Sequence, residues 1–273
     1  MVPLSFAAKY VSIFRIRFVN GLQYRLAALA GLSTQFFWGF MEILLFRAFY
    51  KADPAAFPME FSALVSYIWL QQAFLTLYTS WTFENEIFDA ITGGNVAYEL
   101  CRPMNLYVFW FTRSMANRVA KAVLRCLPVL IIAFLLPEPF GMSLPVSLPV
   151  FLLFLITMFL ALLLTVSMTM MIYGLTFYTM SPLGLRTIFS SLAEFCSGAL
   201  VPLPFLPDGV QKVLEILPFA SVQNLPFRIY SGDIAGMEIV WGVALQIFWT
   251  AGLIALGALI FRNALQRAVV QGG

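Results

Sequence analysis

The chain has 273 residues, of which 61% are hydrophobic and 11% are charged, with a formal net charge of +3. Soluble domains are about half apolar and about a quarter charged, so this composition indicates an integral membrane protein. Histidine is absent and the three cysteines have no paired spacing, which excludes a serine–histidine protease and argues against a disulfide framework, a metal site or a cofactor site. The chain also lacks a Gly-x-x-x-x-Gly-Lys-Ser/Thr loop, so it is not expected to be an ATP-hydrolysing enzyme, and its small charge indicates no nucleic-acid partner.

Segment 3–24 predicts an amphipathic helix that lies in the membrane interface. Lys9 and Arg15 are scattered among apolar residues, whereas a signal peptide carries its basic residues before an uninterrupted apolar core. Tyr10 and Phe14 fall on one helical face and the cations on another, which is typical of a helix that turns its charges toward lipid phosphate. An irregular cytosolic tail is the alternative.

Six stretches of about 20 mostly apolar residues predict six transmembrane helices. Proline- and glycine-rich turns separate the third span from the fourth and the fourth from the fifth. We therefore expect an all-α polytopic membrane protein with a single transmembrane domain over residues 1–273. The predicted spans are 26–46, 61–81, a third within 107–136, 148–175, 185–201 and 239–261.

The distribution of basic residues predicts that both termini are cytosolic. Of the 16 Lys and Arg residues, this orientation leaves four outside, Arg47, Lys51, Lys212 and Arg228, and the other 16 − 4 = 12 inside. Such a bias agrees with the positive-inside rule.

Segment 202–233, between the fifth and sixth spans, is too rich in proline to span a membrane. It predicts two short helices, at 209–217 and 220–228. Non-helical backbone at membrane depth survives only where it is buried in protein or faces water, so we expect a re-entrant or outer-surface hairpin. An ordinary outer loop is the alternative.

The polar loop 83–103, between the second and third spans, is the most informative stretch. It predicts a short amphipathic helix at 84–90, followed by a sharp turn at Gly93-Gly94, where glycine lets the backbone bend. Arg102-Pro103 then precedes the next helix, since proline is tolerated in a first helical turn. The acidic cluster of this loop consists of Glu84, Glu86 and Asp89.

This order of elements resembles the type-2 permeases of ATP-binding-cassette (ABC) exporters over nearly the whole chain. The local features that carry the resemblance are the loop 86–103, Ser197-Gly198 followed by Pro202, and Leu217-Pro218-Phe219. The resemblance implies a multi-pass permease subunit in the bacterial cytoplasmic membrane, dimerised with a second permease of the same or a different kind. A separate ABC ATPase subunit would power it.

The resemblance also implies that the loop couples the permease to this ATPase. The acidic cluster would dock into a groove of the ATPase and pair with basic residues there, which improves docking register and association rate. Gly93, Gly94 and Arg102 would form the hinge behind it. The alternative is a solvated loop with the acids that are ordinary at a helix N-terminus.

Three basic residues, Arg118, Lys121 and Arg125, share one face of the third span's helix, and Arg113 is expected to point elsewhere. They predict a patch at the inner mouth that attracts an anionic substrate or membrane lipids. Simple snorkelling of these side chains to the headgroups is the alternative.

Polar residues within the predicted spans are candidates for the translocation path. An intramembrane carboxylate costs about 2.5–3.5 kcal/mol, so Glu42 and Glu194 are expected to face water or a partner such as Arg47. Gln71 and Gln72 complete this set. With the preference that the resemblance supplies, the second and fifth spans would form a seam between two permeases, with the path along it.

Two other functions remain open from the sequence: an ATP-independent carrier or pore, and a non-transport membrane scaffold. No repeated filter segment or inverted repeat is visible, which argues against a channel and a carrier of the common kinds.

Overall fold

The computed structural model describes residues 6–23, 25–54 and 57–267, and within them the chain is helical without strands. The expected all-α class is confirmed. A short 3₁₀ helix, Leu203–Phe205, precedes α10. The α-helices are α1 (Phe6–Gly21), α2 (Arg25–Ala52), α3 (Phe61–Ala73), α4 (Leu75–Tyr78), α5 (Asn85–Thr92), α6 (Val96–Leu100), α7 (Leu106–Leu135), α8 (Leu148–Thr179), α9 (Pro182–Cys196), α10 (Asp208–Ile216), α11 (Asn224–Ser231) and α12 (Met237–Arg267).

In the part of the chain that the structure describes, two helices are long and apolar enough to cross a membrane: α8, and α12 over Met237–Gln266. They pack along each other. Gly174 permits their close approach, because a Cβ atom there would lie 2.7 Å from Cγ2 of Ile260. The other four predicted spans stay predictions.

Helix α1 packs along α7. The buried Tyr10 hydroxyl accepts a hydrogen bond from the backbone N–H of Asn105 at 3.1 Å, and Gly21 lies against Ala120. The apolar face predicted for segment 3–24 is thus partly covered by protein. Residues 3–5 and 24 lie outside the described part of the chain, and the interfacial position of α1 stays a prediction.

The second predicted span, 61–81, is not one continuous helix. Its helix breaks at Phe74 and stops at Tyr78. At this end the carbonyl oxygens of Leu77 and Thr79 accept hydrogen bonds from a buried arginine described below. All of α3 from Ala63 to Ala73 is buried among α2, α7 and α11, so it cannot form the predicted seam with a second permease.

The fifth predicted span, 185–201, is also shorter than expected. Helix α9 starts at Pro182 and ends at Cys196, because Gly198 adopts a positive φ of 81° that terminates the helix. At about 1.5 Å per residue, 15 residues reach about 22 Å, less than the ~30 Å hydrocarbon core.

The segment 202–233, called the hairpin below, contains two helices as predicted, but the second is displaced. It begins at Asn224 instead of 220, because residues 218–223 form turns. The amide of Gln246 on α12 donates to the carbonyl oxygen of Ser221 at 2.8 Å, which draws that backbone toward α12.

Candidate functional site

The polar segment, residues 79–105, connects α4 to α7 and contains α5 and α6. Helix α5 buries Ile87, Phe88 and Ile91 on one side and packs against α8, where the rings of Phe88 and Tyr173 lie 4.9 Å apart. Its opposite side is exposed. The predicted amphipathic helix at 84–90 is therefore present, with its bounds at Asn85–Thr92.

A buried arginine of α7 holds two carboxylates of the acidic cluster. Arg113 forms ion pairs with both Glu84 and Glu86. Ser114 donates its hydroxyl hydrogen to Glu84 Oε1 at 3.0 Å, and the Glu84 backbone N–H donates to the Tyr173 hydroxyl at 2.8 Å. The Glu84 side chain is 14% exposed and that of Glu86 75%, so the Glu84 pair is the less screened of the two. Glu84 anchors the polar segment and is not available for docking.

A second arginine of α7 fastens the backbone where α4 ends. Arg118 is 1% exposed, and its guanidinium donates to the carbonyl oxygens of Leu77 at 3.2 Å and of Thr79 and Thr82 at 2.9 Å. It also donates to Oγ1 of Thr169 at 3.1 Å. Such hydrogen bonds are what make a buried cation tolerable. The prediction that Arg118 faces an inner mouth or snorkels is wrong, because these carbonyls hold it in the core.

A third arginine holds the start of α5 from α9. Arg186 lies over the rings of Phe83 and Phe88, 5.1 and 5.2 Å from their centroids, and donates to Oδ1 of Asn85 at 3.1 Å. No role was predicted for Arg186, and Arg113 was expected to point away from the other basic residues of α7. The acidic cluster indicated that basic residues lie nearby, but it did not indicate which helix carries them.

The far side of the polar segment remains open. Gly94 has a φ of 73°, which agrees with the predicted sharp turn after α5. Arg102 pairs with Glu99 at 3.3 Å, on the way into α7. The exposed tip, defined here as Asp89, Tyr98, Leu100 and Cys101, includes a tyrosine that is 76% exposed. Exposed aromatic and aliphatic side chains, with an exposed carboxylate on the same segment, are typical of a surface that binds another protein.

The other two residues of the predicted basic patch do lie together. Lys121 and Arg125 line a cavity of about 800 Å³ between α1, α2, α7 and the polar segment. Arg17 of α1 lines the same cavity and was not predicted to belong to it.

The predicted path residues of α2 and α3 are packed inside the chain. Gln71 donates to the carbonyl oxygen of Ala199 at 2.6 Å, and Gln35 donates to the carbonyl oxygen of Gln72 at 2.9 Å. The Gln72 side chain hydrogen-bonds Glu42.

Arg47, the predicted partner of Glu42 and Glu194, pairs with neither of them. Arg47 stacks over the ring of Phe140 at 4.8 Å, and none of the ion pairs between described residues joins it to Glu42 or Glu194. Glu194 lies instead in the wall of a small cavity of about 30 Å³ beside Thr165. The structure thus joins Glu42 to Gln72 but does not bring Glu194 to them.

Comparison with known proteins agrees with the resemblance found in the sequence. No curated protein matches the chain. Among residues 6–23, 25–54 and 57–267, no group of His, Cys, Asp and Glu could hold a metal ion. A family model described as ABC-2 family transporter protein matches residues 36–272, most of the chain and all of the polar segment. The chain therefore belongs to the ABC-2 transporter family and is a membrane-embedded permease subunit of an ABC transporter, a family that works with an ABC ATPase.

Proposed function

We propose that the chain is the permease subunit of an ATP-driven exporter and that the polar segment couples it to a separate ATPase. The observation that carries the proposal is the contrast between the two sides of this segment. Three arginines hold its inner side against α7, α8 and α9, while Tyr98 and Leu100 stay exposed on the other. A segment that is fixed on one side and open on the other can pass a displacement from a bound partner to the helices behind it.

The contacts divide the predicted coupling residues into two groups. Glu84, and in part Glu86, hold the segment to α7, whereas Asp89 is exposed and available to a partner. We therefore assign docking to Asp89, Tyr98 and Leu100, with Gly93 and Gly94 forming the turn between them. The carboxylate would set the docking register and the apolar side chains would supply most of the buried area.

We also propose a permease dimer that meets at α9, in the bacterial cytoplasmic membrane and with both termini cytosolic. Helix α9 carries an exposed apolar face that includes Leu183, Ile188, Leu192 and Phe195, and it is too short to cross a bilayer unaided. Glu194 lies on this same helix, so a path along the seam would place its carboxylate near the cargo. The buried Gln71, Gln72 and Glu42 would support the wall of that path.

Co-purification tests the coupling. The double variant Asp89→Lys, Tyr98→Ala should lose the ABC ATPase subunit that co-purifies with the unaltered chain, identified by mass spectrometry from its phosphate-loop sequence. Expression and melting temperature should not change, since both side chains are exposed. The matched control is Trp241→Ala, which removes an exposed aromatic at the start of α12. Equal retention of the ATPase by the double variant and the control would reject the docking assignment.

Thiol labelling tests the orientation separately. Cys101 is exposed, whereas Cys196 is buried. In intact cells, Cys101 should react with a membrane-permeant thiol reagent and resist an impermeant one, with Cys101→Ser as the control. Labelling of Cys101 from outside by the impermeant reagent would overturn the orientation and with it the coupling proposal.

A further inference from the structure

The cavity of about 800 Å³ beside α7 has a cationic wall built from two helices that are distant in sequence. Arg17 reaches it from α1, and Lys121 and Arg125 from α7. Neither Arg17 nor Lys121 takes part in any ion pair formed between described residues. Two amide side chains, Asn20 and Asn117, add neutral hydrogen-bond donors to the same lining.

Carboxylates border the cavity as well, but they are occupied. Glu84 and Glu86 line its far side, where both are paired with Arg113. With Arg113, the lining holds four cations and two carboxylates, so its net charge is 4 − 2 = +2. An anion entering this space would therefore meet net attraction on the α1–α7 side, and binding to Arg17 or Lys121 would displace no ion pair formed between described residues.

Close packing positions one of these cations. The guanidinium of Arg125 lies against Gly31 of α2, where a Cβ atom would come within 2.6 Å of its Cζ atom. Only a residue without a side chain leaves room for the guanidinium at this point. Guanidinium and ammonium groups that converge with amide donors are the chemistry by which proteins bind phosphate.

We propose that this cavity binds the phosphate of an anionic phospholipid headgroup, held by Arg17, Lys121 and Arg125. The amphipathic helix α1 supplies one wall, and such helices lie at headgroup depth. The opposite wall is the polar segment itself, so a bound headgroup would contact the segment that Arg113 and Arg118 fasten. Lipid binding at this site does not depend on the proposed coupling, because it requires neither an ATPase nor a second permease.

Binding of a soluble, short-chain phosphatidylglycerol to the purified full chain in neutral detergent tests the proposal. We expect saturable binding, and we expect the affinity to fall about fivefold in each of Arg17→Gln, Lys121→Gln and Arg125→Gln. Each variant removes one positive charge, and one such charge near an anionic lipid contributes about 1 kcal/mol. Gly31→Ala should weaken it too, since it displaces the Arg125 guanidinium without removing a charge. The matched control is Lys9→Gln, Arg15→Gln, which removes two cations of α1 that do not line the cavity.

Two further measurements separate a headgroup from free phosphate and from diffuse attraction. Inorganic phosphate at the same concentration should not displace the lipid, and short-chain phosphatidylcholine should bind weakly. If inorganic phosphate displaces the lipid fully, the lipid assignment is wrong. If the Lys9, Arg15 control loses as much affinity as the cavity variants, the attraction is diffuse and the site is rejected. Melting temperatures verify that each variant is folded, and Lys121→Gln, on an exposed side chain, carries the test if another variant fails to fold.

Discussion

The polar segment and the hairpin both lie outside the long helices, and each contains two carboxylates that pair with a single arginine. The two arginines belong to different parts of the chain. Arg113 reaches from α7 into the polar segment. In the hairpin, Arg228 contacts Glu215 at 2.8 Å and Asp233 at 2.5 Å, and all three residues belong to the hairpin itself. The polar segment is thus tied to a long helix by charge, whereas the ion pairs that the hairpin forms with described residues stay within the hairpin.

Neutral hydrogen bonds and side-chain packing join the hairpin to the rest of the chain, and its helix α11 packs against α3 and α8. The indole N–H of Trp249 on α12 donates to the carbonyl oxygen of Ile216 at 2.8 Å, and the hydroxyl of Tyr230 donates to the carbonyl oxygen of Ser143 at 3.1 Å. Burial raises the pKa of Tyr230 to about 12, so this donor is retained at physiological pH. Single neutral bonds are worth about 1 kcal/mol each, less than charge-assisted ones. The difference indicates that charge ties the polar segment to α7, whereas neutral hydrogen bonds and the packing of α11 against α3 and α8 hold the hairpin.

Removing the buried arginine beneath the polar segment should have the largest effect. Arg118→Met leaves the carbonyl oxygens of Leu77, Thr79 and Thr82 without their donor, at about 1–3 kcal/mol for each buried acceptor. We expect a loss of at least about 3 kcal/mol in stability and poor expression, measured by thermal unfolding in detergent. Lys121→Met, an exposed position on the same helix, is the control. A melting temperature for Arg118→Met that equals the control would show that Arg118 does not hold the backbone at the end of α4.

Breaking the Arg113 contacts should separate coupling from folding. Arg113→Gln leaves Glu84 with the Ser114 and Tyr173 contacts only, so we expect about 1–3 kcal/mol of lost stability and a larger loss of cargo-stimulated ATP hydrolysis in the complex. The double variant Arg113→Gln, Glu84→Gln should lose less than the sum of the single variants, because it leaves no unpaired buried charge. Strict additivity in this cycle would mean that the pair does not anchor the segment.

The equivalent change in the hairpin should stay local. Arg228→Gln removes the contacts to Glu215, whose side chain is 35% exposed, and to Asp233, whose side chain is 8% exposed, so we expect a cost of about 1–3 kcal/mol that stays within the hairpin. Hydrogen exchange should speed up within 208–233 and remain unchanged in the polar segment, with stimulated ATP hydrolysis per folded molecule retained. Faster exchange in the polar segment as well would show that the two segments are coupled after all.

Local pattern was sufficient to predict part of the structure. The long apolar stretches predicted α8 and α12, the spacing of apolar residues predicted α5, and the proline-rich stretch predicted two short helices between α9 and α12. The prediction failed for Arg118: its spacing from Lys121 and Arg125 predicts one basic patch, but Arg118 is buried while Lys121 is exposed. Arg118 is buried because it binds backbone carbonyl oxygens about 40 positions away in sequence, which lie where α4 ends. Long-range pairing of this kind leaves no periodic signal.

The smallest effect should come from the exposed carboxylate at the tip. Asp89→Lys touches no contact that holds the polar segment, so stability should change by no more than about 0.5 kcal/mol. Association with the ATPase subunit should nonetheless slow severalfold at low salt and recover partly as salt is raised, because a rim charge acts chiefly on the association rate. Asp208→Lys, an exposed carboxylate at the start of α10 in the hairpin, is the matched control. If the two variants slow association equally, Asp89 has no special role and the polar segment differs from the hairpin only in how it is anchored. If Asp89→Lys alone slows it, the segment tied by charge to α7 is also the one that receives the partner.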